Sequence, residues 1–346
     1  MSSQIDHLLN ETRRFAPSAE FAANAVADAS LYERAAADRE GFWADQAREL
    51  HWHTPFTKVL DWSNPPFAEW FADGELNVAY NCLDRHVEAG NGDRIALRWE
   101  GEPGDQRNVT YAELTDEVKR LSNVLIDLGI ERGDRVAIYL PMIPEAIASM
   151  LAVARIGAVH SVVFGGFSAD SLRSRIDDAG AKLVITADGG WRKGKVSPLK
   201  PAVDQALADH NGSGIQETVE HVLVVKRGEN DVEWIDDRDI WWHDVVPQAS
   251  AEHEAEAFPA ENPLFILYTS GTTGKPKGIL HTSGGYLTQA AFTNRVVHDV
   301  HPETDVYWCT ADVGWVTGHS YIVYGPLANR ATNVMYEGTP DHPDKD

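Results

Sequence analysis

The sequence predicts an α/β fold with mostly parallel sheets and flanking helices, preceded by a small helical cap. Two observations predict it. Between residues 136 and 225, short apolar segments rich in β-branched residues alternate with segments of helical period. Glycine, proline and N-capping residues separate the segments at lengths typical of βα units. Strands that alternate with such helices pair in parallel, and the helices cover the faces of the sheet.

The individual elements follow from the same patterns. Pro144 and Ser168 are typical of helix starts, and Gly157 and Gly180 of helix ends. The predicted strands are Ile95–Trp99, Val109–Tyr111, Val136–Leu140, Val159–Phe164, Leu183–Thr186, Val222–Val225, Leu264–Leu267, Val306–Cys309 and Thr332–Tyr336. The predicted helices are Tyr111–Leu128, Pro144–Ile156, Ser168–Gly180, Gly285–Val297 and a helix that begins near Ser320.

The prediction divides the chain into three parts. Residues 1–30 are polar and rich in alanine, and we expect a loose N-terminal arm. Residues 31–85 are dense in aromatic side chains and form the helical cap, whereas residues 86–346 form the α/β domain. Because the chain ends just after a predicted strand, we expect the sheet to be incomplete at its C-terminal end.

The composition is strongly acidic. The formal net charge is −23, and ten lysines stand against twenty arginines. The acidic residues are spread along the chain, which indicates a surface adapted to a salt-rich cytoplasm, where self-repulsion is screened. A basic partner is the alternative, but it would favour one concentrated acidic block. The absence of a basic patch argues against binding to nucleic acid.

Cysteine usage and hydropathy indicate the compartment. Cys82 and Cys309 lie far apart and form neither a disulfide framework nor a C-x-x-C metal site. The sequence has no visible signal peptide and no apolar run of about 18 residues. We therefore expect a cytoplasmic protein with reduced thiols and no membrane partner.

The most informative segment is Tyr268-Thr-Ser-Gly-Thr-Thr-Gly-Lys-Pro-Lys-Gly278, which directly follows an apolar strand. Glycines let backbone N–H groups approach an anion, hydroxyls add donors and lysines add charge. The segment is neither a Walker A motif nor a dinucleotide fingerprint, because both require other glycine spacings. It predicts a loop that holds a nucleotide triphosphate. The alternative is a solvent-exposed turn of glycine and threonine.

Three further segments follow predicted strands, where ligands gather in open α/β sheets. Trp315, Val316 and Thr317 combine an indole, a branched side chain and a hydroxyl, which can form a small half-apolar pocket for a short acyl group. Ordinary core packing of Trp315 is the alternative, and we interpret His319 as a structural histidine rather than a catalytic one.

Phe164-Gly-Gly-Phe167 permits close approach of a ligand to the backbone, although a strand-to-helix turn also explains its glycines. Trp191-Arg-Lys-Gly-Lys195 is a basic cluster in a very acidic chain. A solvated loop is the simple interpretation, but clustered cations of this kind favour phosphate groups.

These residues carry a family resemblance. The loop at 268–278 resembles the signature loop of the adenylate-forming synthetases. Four other segments closely resemble the AMP-forming acetyl-CoA synthetases within that group, and the resemblance covers roughly residue 30 to the end. These segments are Trp308-Cys-Thr-Ala-Asp-Val-Gly-Trp-Val-Thr-Gly-His-Ser320, Val163-Phe-Gly-Gly-Phe167, Leu76-Asn-Val-Ala-Tyr-Asn-Cys-Leu-Asp-Arg85 and Tyr324-Gly-Pro-Leu327.

The resemblance implies the N-terminal part of an acetate–CoA ligase that uses ATP, Mg²⁺ and coenzyme A. Residues 31–85 would be the N-terminal cap and residues 86–346 a partial AMP-binding domain. The triphosphate would be held by Thr269, Ser270, Gly271, Thr272, Thr273, Gly274 and Lys275. The acetate pocket would be lined by Trp315, Val316 and Thr317. Coenzyme A would meet Phe164, Gly165, Gly166, Arg192, Lys193, Gly194, Lys195, Thr317 and Asp341. No residue is assigned to a metal.

The chain departs from the family pattern in two residues and in length. Lys195 stands where the family usually has arginine, and Asp341 where asparagine is expected near coenzyme A. The family is nearly twice as long. The remaining part would hold the adenine contacts and the mobile C-terminal domain with its adenylation lysine, so we expect this chain alone to be inactive.

Three interpretations stay open at this point. The first is part of an acetate–CoA ligase, and the second is a ligase for propionate or another short acid. The third is a chain that is no enzyme by itself, either a remnant or one half that pairs with a separately encoded C-terminal half.

Overall fold

The computed structural model describes residues 13–208, 218–269 and 276–342. Its strands are, in chain order, β1 (Leu60–Asn64), β2 (Phe67–Trp70), β3 (Glu75–Leu76), β4 (Ile95–Glu100), β5 (Gln106–Thr110), β6 (Arg135–Tyr139), β7 (Val159–Val162), β8 (Leu183–Ala187), β9 (Gly189–Arg192), β10 (Lys195–Pro198), β11 (His221–Val225), β12 (Asp239–Trp241), β13 (Phe258–Pro259), β14 (Pro263–Thr269), β15 (Lys277–Thr282), β16 (Val306–Trp308) and β17 (Thr332–Tyr336).

Helices connect and cover these strands. The helices of six residues or more are Ala19–Asn24, Ser30–Ala37, Arg39–Ala47, Tyr111–Asp127, Pro144–Arg155, Ala169–Ala179, Lys200–Leu207 and Ser283–Val297. Shorter α-helical segments are Val78–Cys82, Asp84–His86, Trp242–Val245, Val316–Gly318 and Gly325–Ala328, and Val87–Asn91 and His319–Tyr324 are π-helical. None of the helices in the described part of the chain is long and apolar enough to cross a membrane.

The largest sheet has seven strands in the order β12-β11-β8-β6-β7-β14-β15. All neighbours are parallel except β14 and β15, which confirms the predicted mostly parallel α/β fold. The chain runs from β6 to its neighbour β7 and then crosses back to β8 on the other side of β6. The carboxyl ends of these strands therefore face a position where the strand order reverses, which favours a ligand crevice.

A second sheet has four strands in the order β16-β17-β4-β5. The last strand of the described residues, β17, lies inside this sheet and pairs in parallel with both β16 and β4. The helices Tyr111–Asp127 and Pro144–Arg155 pack together and bury most of their apolar side chains. This packing accounts for the stability of the scaffold that carries the strand ends.

Local sequence signals fix the helix ends as expected. Thr110 and Glu113 form a capping box at the start of one long helix. Ser168 accepts a hydrogen bond from the backbone of its helix, and Gly180 ends that helix at a φ of 60°. These caps set where the chain leaves each helix for the next strand.

The predicted cap of residues 31–85 is only partly helical. Residues 60–70 form the antiparallel hairpin β1–β2, which turns at Pro65-Pro66. Two consecutive prolines cannot continue a helix, because their nitrogens carry no N–H group. In the predicted N-terminal arm, the described residues contain the helix Ala19–Asn24, which buries no residue.

Other elements also differ from the prediction, among them β12 and β13, which it does not contain. The segment after β8 forms the hairpin β9–β10, and β15 precedes the helix Ser283–Val297. Two glycines in β9 and the mostly exposed residues of β15 hide the alternating pattern that identifies a strand.

Candidate functional site

The three predicted ligand segments of the large sheet begin at the same edge. Thr269 ends β14, Phe164 follows β7, and Gly189 follows β8 after one residue. These strands run in the same direction, so their carboxyl ends lie together. Ser270, Gly271, Thr272, Thr273, Gly274 and Lys275 lie outside the described residues. The strands on either side of them pair up to Thr269 and Lys277.

A cavity of about 80 Å³ lies at this edge. Phe164, Gly165, Gly166 and Arg192 line it, so the structure brings together four residues predicted to meet coenzyme A. The other lining residues are Leu140, Pro141, Met142, Gly190, Trp191, Ser197, Leu199, Asp312, Glu337 and Gly338. The cavity therefore lies at the reversal of the strand order that the topology singles out.

Aromatic contacts join this cavity to the predicted acetate segment. The ring centroids of Phe164 and Trp315 are 5.8 Å apart, and the guanidinium carbon of Arg192 lies 5.6 Å from the Phe164 centroid. Phe167 packs edge-on against Trp315 and carries the guanidinium of Arg175 at 4.7 Å. These contacts are within the range of favourable ring–ring and cation–π interactions. Phe164 is thus shared by the basic cluster and the Trp315 segment.

The Trp315 segment is held by close backbone packing. A Cβ atom on Gly314 would lie 2.9 Å from Cα of Phe164, and one on Gly318 only 2.1 Å from the carbonyl oxygen of Asp312. Glycine is needed at both positions for this close approach. Trp315 itself is 47 % exposed, so its indole is not buried in the core.

His319 lies below this segment and has a structural environment. Its ring is buried, and Nδ1 lies 3.0 Å from the carbonyl oxygen of Trp315, to which it donates. Burial lowers the pKa of His319 to about 4. The neutral ring therefore supports the backbone of Trp315, in agreement with the predicted structural role.

Val316 and Thr317 border a different cavity of about 520 Å³. Its other lining residues include Trp70, Glu261, His281, Tyr286 and Gln289. Thr317 was predicted to face both acetate and coenzyme A, but it does not line the smaller cavity near Phe164. The Trp315 segment thus separates two cavities, with Phe164 on one side and Thr317 on the other.

The basic cluster forms the tip of the β9–β10 hairpin. Lys193 and Gly194 have φ values of 54° and 70°, the two positive values that a tight type I′ turn requires. The backbone N–H groups of both residues donate to the carboxylate of Glu102, each at 2.9 Å. Lys195 begins β10 and is exposed. A carboxylate therefore fixes the turn that presents the cations.

A second carboxylate supports the base of the hairpin. Glu337 is 1 % exposed and accepts a hydrogen bond from the backbone of Trp191 at 3.0 Å. Arg227 donates to Glu337 at 2.7 Å and also forms a two-bond pair with Asp105. Burial raises the pKa of Glu337, and the adjacent Arg227 guanidinium opposes this rise.

The sequence analysis did not identify Glu102, Arg227 or Glu337. Each lies more than 25 residues from the hairpin in the chain. Nothing in the local pattern marks an isolated acid or arginine as a support. The pairing of β17 with β4 places Glu102 and Glu337 against β9 and β10, and Arg227, which follows β11, supports the hairpin through Glu337.

Asp341 lies closer to the hairpin than its chain position indicates. Its carboxylate is 3.2 Å from Nζ of Lys193. The neighbouring Thr339 side chain and then Lys193 lower the pKa of Asp341, so the residue is an anion at neutral pH. An anion here partly neutralises the basic cluster.

Asp312 and Glu337 are the two acidic residues that line the small cavity. Oδ1 of Asp312 accepts a hydrogen bond from the backbone of Gly314 at 2.7 Å. Burial raises the pKa of Asp312, while the Gly314 N–H group and Arg192 act in the opposite direction. Asp312 thus supports the Trp315 segment from the side of Arg192.

Two family models match this chain. One, described as AMP-binding enzyme, matches residues 83–346. The chain belongs to the family of AMP-binding enzymes. A model described as acetyl-coenzyme A synthetase N-terminus matches residues 29–82, which include the aromatic cap. The two matches together span all the elements that position the candidate site.

Relatives of this family member are similar over nearly all of the chain. An acetyl-coenzyme A synthetase of Streptomyces avermitilis is 67 % identical over 99 % of this chain and 52 % of its own length. That of Streptomyces coelicolor is 68 % identical over the same shares. That of Mycobacterium tuberculosis is 62 % identical over 96 % of this chain and 50 % of its own length. The chain thus spans about half the length of these relatives.

Proposed function

We propose that this chain carries the triphosphate loop, the acyl pocket and part of the coenzyme A site of an acetate–CoA ligase. In the first step, a carboxylate oxygen of acetate attacks the α-phosphorus of ATP, and pyrophosphate leaves. In the second step, the thiol sulfur of coenzyme A attacks the acetyl carbonyl carbon, AMP leaves and the thiol proton is released. The contact of Phe164 with both Arg192 and Trp315 supports this proposal best.

The residues have separate roles in this proposal. The loop from Thr269 to Lys275 holds the β- and γ-phosphates, so that charge is neutralised while the α-phosphorus is attacked. Trp315, Val316 and Thr317 orient the acyl group. Phe164, Gly165 and Gly166 leave room for the approach of the thiol arm of coenzyme A.

The hairpin supplies the cations for the phosphates of coenzyme A. Arg192 offers a planar fork of donors, whereas Lys193 and Lys195 act as point charges. Glu102, Arg227 and Glu337 act as positioning residues because they fix the turn without facing the cavity with a free charge. Asp341 reduces the positive charge of the cluster through Lys193.

Mg²⁺ neutralises phosphate charge when it is bound with ATP. Within the described ranges, no group of three His, Cys, Asp or Glu side chains is placed to hold a metal ion. The described residues therefore provide no such group of side-chain ligands for Mg²⁺. No role assigned to these residues in the proposal requires one.

A ligase for propionate is a second candidate, favoured by the size of the acyl side of the site. Val316 and Thr317 open onto a cavity of about 520 Å³, which does not by itself limit the acid to two carbons. One methylene is worth only about 1–3 kcal/mol of discrimination in a hydrophobic pocket. Comparing non-hydrolysable acetyl- and propionyl-adenylate analogues as ligands of the protein would separate the two acids.

Calorimetric titration with coenzyme A tests the proposal. We expect Arg192→Gln to weaken binding about tenfold, the effect of losing one charge-assisted hydrogen bond. Arg98→Gln is the matched control, because Arg98 is exposed on β4 and does not line the cavity. Equal effects of the two substitutions, or no binding to the unsubstituted chain, would contradict the proposed site.

A further inference from the structure

A second charged cavity lies away from the strand ends described above. It has a volume of about 250 Å³ and lies between the end of the helix Arg39–Ala47 and the helix Ser283–Val297. The charged groups that line it are Glu49, Arg85, Arg295 and Arg330. Three arginines and one glutamate line the cavity, and Glu303 pairs with Arg330 from outside the lining, so one positive charge remains in excess in a chain of net charge −23.

No carboxylate of the described residues forms a salt bridge with the Arg85 guanidinium, although Glu49 lines the same cavity. Its guanidinium donates instead to the backbone carbonyls of Asn81, Glu49 and Ala328. Neutral carbonyls satisfy the N–H groups but do not cancel the positive charge. Burial in a low-dielectric environment makes that charge costly unless an anion lies near it.

Arg330 adopts a backbone conformation that disfavours a side chain. Its φ is 61°, just after the helix Gly325–Ala328, at a position where glycine is usual. For other residues the left-handed conformation costs about 1–2 kcal/mol. Glu303 holds the outer end of Arg330, but the buried Nε has no hydrogen-bond partner within the described part of the chain. A role of the guanidinium group is the simplest explanation for an arginine, rather than a glycine, at this position.

Arg295 and Glu49 form a weak ion pair at one side of the cavity. Their charged atoms are 3.6 Å apart, and the Glu49 side chain is 65 % exposed. An exposed pair of this kind is weak, so Glu49 can swing into solvent at little cost. His86 adds no charge, because burial lowers its pKa to about 3.

We propose that this cavity binds a small phosphate-bearing anion between Arg85, Arg295 and Arg330. Guanidinium groups match the geometry of phosphate oxygens, and several of them converge here. The volume lies below the usual range of about 300–1,000 Å³ for small-molecule pockets, which favours an anion the size of phosphate over a whole nucleotide. The bound anion would link residues 46–50 to the helix that carries Arg295.

Titration with inorganic phosphate at constant ionic strength tests this site, with chloride as the reference salt. We expect Arg295→Gln to weaken phosphate binding about tenfold, as for the loss of one charge-assisted hydrogen bond. Glu49→Gln should tighten binding, because the competing carboxylate is removed. Arg98→Gln, which makes the same charge change at an exposed position, should leave binding unchanged. If Arg295→Gln does not fold, Arg330→Gln is used in its place.

Phosphate binding at this cavity can be distinguished from phosphate binding at the triphosphate loop of the proposed ligase site. Phosphate bound at the triphosphate loop would be lost in Lys275→Gln and retained in Arg295→Gln, and that outcome would overturn the proposal. So would an absence of binding, or an equal loss in Arg98→Gln and Arg295→Gln. Loss in Arg295→Gln with retention in Lys275→Gln supports an anion site that is independent of the ligase chemistry.

Discussion

The two sides of the small cavity are held in place by different forces. The β9–β10 hairpin is fixed by carboxylates and an arginine from distant segments, and Glu102, Arg227 and Glu337 carry most of these contacts. The Trp315 segment is fixed by backbone packing that leaves no room for a Cβ atom and by a neutral buried histidine. The stability of the hairpin side should therefore depend on charge and salt concentration. The stability of the Trp315 side should depend on side-chain volume and on pH.

This difference fits the groups that each side would meet. The phosphates of coenzyme A would be bound by the charges of the hairpin, whose turn is held by hydrogen bonds to a carboxylate. A two-carbon acyl group makes few contacts, and its pocket needs a rigid wall. The following predictions test the contrast, beginning with the largest effect.

Gly318→Ala should be the most damaging substitution on the Trp315 side. Its Cβ atom would lie 2.1 Å from the Asp312 carbonyl oxygen, and overpacking typically costs about 1–3 kcal/mol, so a contact this short should lie at the upper end. Chemical denaturation measures the loss. Gly165→Ala is the control, because its Cβ atom would lie at an ordinary 3.4 Å from the Leu140 carbonyl oxygen. Similar losses for both substitutions would contradict the rigid-wall interpretation.

Arg227→Met should have the largest effect on the hairpin side. It leaves the buried Glu337 carboxylate without its cation, and we expect a loss of about 2–3 kcal/mol in the free energy of unfolding. The double variant with Glu337→Gln should recover part of that loss, because the unpaired charge is then removed. A double variant as unstable as Arg227→Met would show that packing, not charge, supports the hairpin.

Lowering the pH should destabilise the Trp315 segment, because His319 then becomes protonated on unfolding. Its folded pKa of about 4 lies below the ordinary 6.5, so the unfolded chain takes up the proton first. The stability from neutral His319 is present above pH 6.5 and is lost as pH falls toward 4; between pH 7 and 5 the loss is about 2 kcal/mol.

His319→Asn keeps a donor for the Trp315 carbonyl but does not titrate. We expect the fall in unfolding free energy between pH 7 and pH 5 to become smaller in this variant. His243→Asn is the control, because His243 is half exposed. An unchanged pH dependence in His319→Asn would show that His319 does not couple this segment to acid.

The smallest effect is expected for Asp341→Asn on the hairpin side. Its exposed pair with Lys193 contributes little to stability, since such pairs are worth about 0–1 kcal/mol. The substitution should tighten coenzyme A binding a few-fold at low salt and have almost no effect near 1 M salt, where the Debye length is about 3 Å. A salt-independent effect would contradict an electrostatic role for Asp341.

Most of the scaffold could be predicted from the sequence. Buried parallel strands such as β6, β8 and β11 are continuous apolar runs, and caps such as Ser168 and Gly180 mark helix ends locally. Signals of this kind need no knowledge of distant contacts. The loop at 268–278 and the Phe164 segment were located because each follows such a strand, whereas β16, which precedes the Trp315 segment, is mostly exposed.

The supports of the site could not be predicted in the same way. Glu102 and Glu337 act on the hairpin only because β4 and β17 become neighbours, and that pairing joins residues more than 200 positions apart. The hairpin itself was hidden by the glycines of β9, and the separation of Thr317 from Phe164 depends on the exact path of residues 314–318. The roles of the ligand-binding residues stay predictions.

In the proposed ligase site, the coenzyme A side, formed by the hairpin, and the acyl side, formed by the Trp315 segment, are joined through Phe164. A double-mutant cycle of Arg192→Gln and Trp315→Phe on the dissociation constant of coenzyme A tests this central claim most directly. Because both side chains contact the Phe164 ring, we expect a coupling energy of at least about 0.5 kcal/mol. Additive effects of the two substitutions would contradict the claim and assign the residues to independent sites.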